Sequence, residues 1–431
     1  MPRLPSRLFY PSDVPHLPPG KGSMMTKGSE NNDTLLEVAN NILRHHKLQA
    51  IACKRLQRLW AGYGHICSLE AVSTDDSTTK LTRSLILKHV TPPKSAGTKD
   101  EGHLRKLISY QVEQYFYSHL APETPPSASM AQRLTGPGEV HSYESSISMI
   151  LTDLKLDFPV AGEKRGMLSH TQVHAALKWL GTFHGYWWKH RDDLRRHKLR
   201  LPPLEEVTRP ASDAGSNEGI WLNGGYTYLA TRLKEYNELK LDNHSEWSGA
   251  LCQPTEMSKS VAEMAAQVLT PLPDSNSKDS AIADYETLIH GDVKSENLFS
   301  STNGKEVAFY DFQYVGLGLG VCDLAKLFTV SVPLECLTQS DLTEMELCPM
   351  CDGERGLLEV YRDILQQESG KLYPIDELYM HWNTALIDWL RFQAGWGFWG
   401  NTQWLEARGR YILNDPKYMN WLAQTAEPTT T

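Results

Sequence analysis

An apolar stretch running from about Lys54 to Trp60 breaks at Ala61-Gly62-Tyr63-Gly64 and resumes from His65 to Val72, which predicts two strands joined by a glycine turn. The polar residues Thr74-Asp75-Asp76-Ser77 then turn the chain into a third apolar run, Leu81 to Val90, whose Leu85-Ile86-Leu87-Lys88 core predicts a buried strand with one lysine near its end. Three antiparallel strands result. After a loop over 91–101, Leu104, Leu107, Ile108, Val112, Tyr115 and Phe116 recur at helical spacing. Glu113 lies off that stripe, on a neighbouring face with Tyr110 and Tyr117, placed to look into a cleft while the stripe packs inward.

Beyond a loop rich in Pro and Ser at 121–138, Ile147 to Leu151 predicts a short strand, and Thr152-Asp153-Leu154 a crossing point between two lobes. From there the pattern turns mainly helical. Thr171 to Trp188 places Val173, Leu177, Leu180, His184 and Trp188 on one face, where His184 reads as a hydrogen-bonded core histidine. Residues 191–220 read as a long loop. Near the end, Trp382, Ala385, Leu386 and Trp389 at helical spacing predict core packing. Trp396, Trp399, Trp404 and Trp421 extend the set, and the sharper reading puts some of these rings, with Asp388, around an acceptor pocket.

Composition narrows the function classes. A chain of 431 residues with 40% hydrophobic content can bury a sizeable core. Its 43 Lys and Arg against 52 Asp and Glu give a net charge of -9, so no chain-wide basic field holds nucleic acid or an anionic membrane. No run of about 18 apolar residues predicts a membrane span. Seven scattered cysteines without framework spacing point to reduced thiols in a cytoplasmic setting; Cys348-Pro-Met-Cys351, with Cys336 upstream, lacks a fourth ligand at ordinary zinc spacing. Residues 1–30, with six prolines and few large apolar side chains, predict a flexible tail, a weak targeting segment being the minor reading.

The candidate chemistry lies between Leu288 and Phe328. Here His290-Gly291-Asp292 is followed by Lys294 and Asn297, then Asn303-Gly304, then Asp311-Phe-Gln and Cys322-Asp323-Leu-Ala. An Asn-Gly pair between apolar runs predicts a hairpin, and a two-residue loop at 303–304 sets residue 297 opposite 310 and 296 opposite 311. Asn297 and Asp311 then stand side by side, an amide oxygen and a carboxylate suited to magnesium. Asp292 faces the same space, where a carboxylate can take a hydroxyl proton, and Lys88 can neutralise phosphate charge across the cleft.

The ordered pattern His-Gly-Asp-x-x-x-x-Asn, Asp-Phe after a hairpin, then Asp-Leu-Ala resembles the aminoglycoside phosphotransferase group, which includes choline kinases and ecdysteroid-kinase-like proteins. The resemblance extends over roughly Leu56 to Tyr411. It implies an α+β, two-lobed protein-kinase-like fold, with a small antiparallel-sheet lobe over 31–155 and a larger helical lobe over 156–425. It also implies transfer of the ATP γ-phosphoryl group to a hydroxyl of a small molecule. In that scheme Asp292 is the catalytic base, Asn297 and Asp311 hold Mg2+, Lys88 meets the α/β-phosphates, and Glu113 pairs with Lys88. Asp323 braces the loop, and Gly62 and Gly64 cover the phosphates, although Gly62-x-Gly64 lacks the full glycine run of a protein-kinase loop. Thr152 stands where relatives often carry an acidic residue. No obligate protein partner is implied. Two other classes fit the same residues: a choline- or ethanolamine-type kinase, and a nucleotide-binding pseudokinase without transfer.

Overall fold

The computed structural model describes residues 32–426 apart from 76–81, 93–99, 135–145, 210–217, 274–282 and 339–345. The expected tail at 1–30 and part of the polar turn at 74–77 lie outside those residues.

The small lobe is a five-stranded antiparallel sheet in the order β1 (Leu48–Arg58), β2 (Gly64–Ser73), β3 (Thr82–Val90), β5 (Ile147–Thr152), β4 (Arg133–Leu134). Helix α1 (Asn32–Leu43) covers one face, burying Leu35, Ala39, Ile42 and Leu43 against Leu48, Ala50, Cys67, Leu69, Leu85, Leu87 and Ile150. The first strand begins at Leu48 rather than near Lys54. Two register shifts, between Ala50 and Ala52 and between Arg55 and Gln57, break the two-residue alternation that marks a strand in sequence. At the first shift Asn40 of α1 takes over: its Oδ1 accepts from the Ala50 amide at 2.7 Å.

On β3, Leu85 and Leu87 face α1, so Lys88 projects from the opposite face, level with Ile66 on β2 and Met149 on β5. There it meets α2 (Glu101–Tyr115), capped by Asp100, whose carboxylate accepts from the His103 amide at 2.9 Å. Residues Leu107 to Gln114 of α2 are buried all the way round, because the helix is wedged between the sheet and the larger lobe.

The larger lobe is mainly helical. Helix α3 (His170–Lys189) starts in a capping box of Ser169 and Gln172 and packs along α5 (Asp352–Ser369). Gly181 and Gly185 make the approach close: a Cβ at Gly181 would lie 2.8 Å from Ile364, and one at Gly185 2.7 Å from Glu368. Between them in sequence lie α4 (Gly320–Val330) and a set of short strands; α6 (Ile375–Trp396) packs on α4. Strands β7 (Leu199–Arg200), β8 (Ile220–Trp221), β12 (Gly316–Gly318) and β9 (Thr287–Ile289) form one small sheet, and β6 (Val160–Ala161), β10 (Leu298–Ser300) and β11 (Val307–Phe309) another. The expected loop at 191–220 therefore carries β7, the start of β8 and two short helices, Arg191–Leu194 and Pro203–Glu206, pinned by buried ion pairs of Glu286 with Arg195 and Glu206 with Arg200.

The β10–β11 hairpin has the expected register, Leu298 opposite Phe309 and the Asn297 carbonyl accepting from Tyr310 N at 3.0 Å. Its loop is wider than two residues. The last pairing is Ser301 N to Glu306 O, and Gly304 closes a turn onto the Ser301 carbonyl at a φ of +71°. Asn303 Oδ1 accepts from Ser301 Oγ and Lys305 N, holding the chain ends open by one more residue on each side.

Candidate active site

The loop after β9 is shaped by a buried carboxylate. Asp323, in the first turn of α4, accepts from His290 N at 2.7 Å on Oδ2 and from Gly291 N at 2.9 Å on Oδ1; His184 Nε2 lies 3.3 Å away. Burial pushes the Asp323 carboxyl up, but the His184 hydrogen bond and the nearby charge of Lys326 hold it below the usual carboxylate range. Gly291 has a φ of +85° and no room for a side chain, since a Cβ would lie 2.3 Å from the Tyr314 carbonyl oxygen.

His290 fixes the distance between two loops. Its Nδ1 accepts from Asp292 N at 3.2 Å and its Nε2 lies 3.0 Å from the Tyr310 carbonyl oxygen, an arrangement that assigns the proton to Nε2. Burial holds the ring neutral by lowering its pKa. So the peptide that precedes Asp311 is tied to the peptide that carries Asp292.

At Asp292, Asn297 Nδ2 donates to the backbone oxygen at 2.9 Å and to Oδ2 at 3.0 Å, and Lys294 Nζ lies 3.1 Å from the same Oδ2. Lys294 also reaches Glu296 at 2.9 Å. Burial disfavours its charge, but Asp292, Tyr226 and Glu296 hold it above its ordinary value.

Across the cleft, Lys88 Nζ contacts Glu113 Oε2 at 2.6 Å and Asp311 Oδ1 at 2.9 Å, over the Tyr110 ring at 5.4 Å. Burial opposes the ammonium, yet Asp311 and Glu113 together raise its pKa, so Lys88 stays charged. Burial pushes Glu113 up to about 7 against the pull of Lys88. Asp311 is the more open partner, its side chain 33% exposed; burial pushes its carboxyl up, but Lys88 holds it below the usual carboxylate range. Asp311 adopts a left-handed φ of +68°, a conformation that Asp tolerates better than most residues, and Gln313 Nε2 shares its Oδ1 at 2.8 Å.

Of the residues singled out in the sequence, Lys88, Glu113 and Asp311 thus meet in one cluster, and Asp292 and Asn297 in another that the Asn297–Tyr310 pairing sets beside it. Among the described residues no hydrogen bond joins Gly62 or Gly64 to either cluster. Gly64 has a role in the sheet: it pairs with Val90, and a Cβ there would lie 2.0 Å from the His89 carbonyl oxygen. The turn they belong to is anchored by Tyr63, buried and hydrogen-bonded to His103 of α2. Thr152 Oγ1 accepts from the Gln132 amide at 2.9 Å, a link between β5 and the β4 segment. Sequence reasoning gave no role to His290, Lys294, Gln313 or Tyr226. His290 and Lys294 had a visible signal, the first as the opening residue of the His-Gly-Asp pattern and the second by its place midway between Asp292 and Glu296.

Beside Asp292 opens a cavity of about 210 Å³ whose walls include Tyr226, Lys294, Lys326, Trp389, Trp396 and Trp399. The tryptophans divide as the two readings allowed. Trp382 and Trp404 are buried in the core, Trp382 donating to Glu354 at 2.7 Å, whereas Trp389, Trp396 and Trp399 line the cavity. Asp388 is paired with Arg391 at 2.9 Å. His184 is the expected core histidine, bonded to Tyr361 as well as Asp323. Among the described residues no three His, Cys, Asp or Glu side chains cluster as a metal site, no disulfide joins the cysteines, and no helix is long and apolar enough to cross a membrane.

A search of curated proteins finds no match. Among solved structures, the chain resembles macrolide 2'-phosphotransferase MphH from Brachybacterium faecium, with 10% identity, 92% of this chain and 99% of that one covered, and a TM-score of 0.41. It also resembles choline kinase LicA from Streptococcus pneumoniae (13% identity, 90% and 99% covered, TM-score 0.38) and an ethanolamine kinase from Plasmodium vivax (12%, 92% and 93%, 0.37). Overlaps at this level carry no weight for the chemistry. The sequence itself matches one family model over residues 65–345, a span that takes in β2, Lys88, Glu113 and the whole braced loop from His290 to Asp323, and on that match the chain belongs to the ecdysteroid kinase-like family.

Proposed function

We propose that this protein transfers the γ-phosphoryl group of ATP to a hydroxyl of a small molecule, with Asp292 as the base and Mg2+ held by Asn297 and Asp311. The observation that carries this reading is the meeting of Lys88, Glu113 and Asp311, from a strand, a helix and a loop far apart in sequence, next to the Asp292–Asn297 pair. A buried lysine kept charged by two carboxylates is suited to phosphate oxygens, which can share it as further anions.

Both side-chain contacts to Asp292 fall on Oδ2, which leaves Oδ1 to take a proton. As the acceptor oxygen bonds to the γ-phosphorus, its proton passes to that oxygen of Asp292, and the electron pair of the breaking bond leaves with ADP. Lys294 steadies the carboxylate before transfer.

The donor set fits a hard cation. Asn297 spends its amide hydrogens on Asp292, so its Oδ1 remains an oxygen donor, while Lys88 and Gln313 both take Oδ1 of Asp311 and leave Oδ2. Bound there, magnesium would supply neutralisation of phosphate charge, with water and phosphate oxygens completing its shell. The lobe boundary in this reading falls near residue 155, the glycine turn at Gly62 and Gly64 covers nucleotide, and the protein works in the reducing cytoplasm.

The test is ADP release by the purified chain against a panel of alcohols, sterols, amino sugars and choline-like compounds. Asp292→Ala should lower turnover by about 10²- to 10⁴-fold with ATP binding nearly intact. Asp311→Ala should also lose magnesium-dependent ATP binding. Full activity in the Asp311 variant refutes the metal assignment.

A further inference from the structure

The cavity beside Asp292 holds cationic groups that the transfer step leaves unused. One wall is clamped to the catalytic loop: a Cβ on Gly162 would lie 1.7 Å from the Ser295 carbonyl oxygen, and Ser295 Oγ donates to the Glu163 carbonyl at 3.1 Å. Gly166 N closes a turn onto Glu163 O, with Arg165 at a left-handed φ of +56°. The clamp sets Lys164 and Arg165 at the cavity's edge.

On the inner wall Lys326 is 5% exposed, and among the described residues its ammonium makes one hydrogen bond, to the Gly291 carbonyl at 2.5 Å, and no ion pair. Asp388 is paired with Arg391, and Asp323, bonded to the His290 and Gly291 amides, acts on Lys326 by its charge without an ion-pair contact. The Lys326 ammonium therefore keeps donor hydrogens beyond the one given to Gly291, open to an anionic oxygen. In the same wall the buried Trp389 Nε1 has no acceptor among the described residues. The cavity's own acids, Asp292 and Glu296, are already met by Lys294.

A cationic ligand finds the reverse. Two of the aromatic faces in the wall, those of Tyr226 and Trp396, already carry the buried Arg232 guanidinium at 5.2 and 5.0 Å, so a cation at the remaining rings, Trp389 and Trp399, would sit among fixed positive charges.

Building on the phosphotransfer reading, we propose that the acceptor is an anionic alcohol, a hydroxyl compound whose carboxylate or phosphate is received by Lys326, Lys164, Arg165 and the Trp389 N–H, and that quaternary ammonium alcohols are rejected.

The test is calorimetric binding and ADP release with one aromatic alcohol in three forms: 4-(2-hydroxyethyl)benzoate, uncharged 2-phenylethanol, and the 4-trimethylammonium analogue. Glycerol 3-phosphate against glycerol separates phosphate from carboxylate recognition. The carboxylate should bind on the order of 30-fold more tightly than the ammonium compound, the neutral one falling between. Lys164→Gln with Arg165→Gln should weaken the anionic compound alone by about 5-fold, while Lys326→Met, which also touches the catalytic loop, should weaken it further. Equal or tighter binding of the ammonium compound, binding of none of the series, or a double variant that weakens ATP in place of the anion overturns the proposal. Selective anion binding with no ADP release from any alcohol leaves the anion site standing but overturns the phosphotransfer reading and, with it, the ligand's role as acceptor. Efficient turnover of the ammonium compound does the opposite.

Discussion

Asp323→Asn isolates the brace behind the catalytic loop. The wild-type carboxylate accepts two backbone amides, 2.7 Å on Oδ2 and 2.9 Å on Oδ1, in a fully buried site. Asparagine offers one oxygen and one NH2, so whichever way it turns, one of the His290 or Gly291 amides faces a donor. A hydrogen bond to a charged acceptor contributes about 1.5–3 kcal/mol, and a buried amide left without a partner costs about 1–3 kcal/mol. The relief from no longer burying a charge offsets part of this, which leaves a net loss of about 3 kcal/mol. Amide hydrogen exchange reads the site directly: protection of the His290 and Gly291 amides should fall roughly 100-fold, with the β3 amides much less affected. In the phosphotransfer reading turnover should fall more than ATP affinity, since the loop positions Asp292 and not Lys88. Unchanged protection at both amides would refute the reasoning.

Three further outcomes are expected. Glu113→Gln leaves buried Lys88 with Asp311 as its one carboxylate partner, so the ATP KM should rise by about tenfold or more, read from ADP-release kinetics; a KM within twofold of wild type contradicts the pairing. Gly64→Ala places a Cβ 2.0 Å from the His89 carbonyl at a φ of +131°, and thermal unfolding should show a loss of about 2 kcal/mol or more. His381, buried with Nδ1 2.7 Å from the Tyr373 hydroxyl, has its pKa lowered by burial to about 4. A depressed histidine contributes stability that is complete above its unfolded value of about 6.5 and is lost as pH falls toward 4, up to about 3 kcal/mol. Glu113, raised to about 7, acts with the opposite sign over part of that window, so the informative quantity is the difference between wild type and His381→Gln measured from pH 7 to 4.5. A difference independent of pH contradicts the assignment.

The small lobe was legible where its pattern is regular. The continuous apolar run of β3 makes Lys88 stand out near its end, and the helical stripe of α2 sets Glu113 apart from Leu104, Ile108 and Val112. The beginning of β1 was hidden by its bulges, which leave polar and apolar residues out of phase. Asn303-Gly304 announced the hairpin and its register, but the loop length depended on Asn303 bonding back to Ser301 and Lys305, a choice that dipeptide statistics do not settle. The brace at Asp323 was anticipated from its place in the motif. The links made by His290 and Gln313 join segments through backbone atoms or across the lobes, and no local spacing encodes them. The pairing of Gly181 and Gly185 with α5 was silent for the same reason, since two isolated glycines in a helix reveal nothing of the partner they admit.

Helix α2 is fastened near both ends to elements of the small lobe. Near its start His103 grips Tyr63 under the glycine turn, and near its finish Glu113 grips Lys88. A helix fastened at two such points carries the Tyr63 turn and the partner of Lys88 on one element, so a tilt of the helix would displace both together.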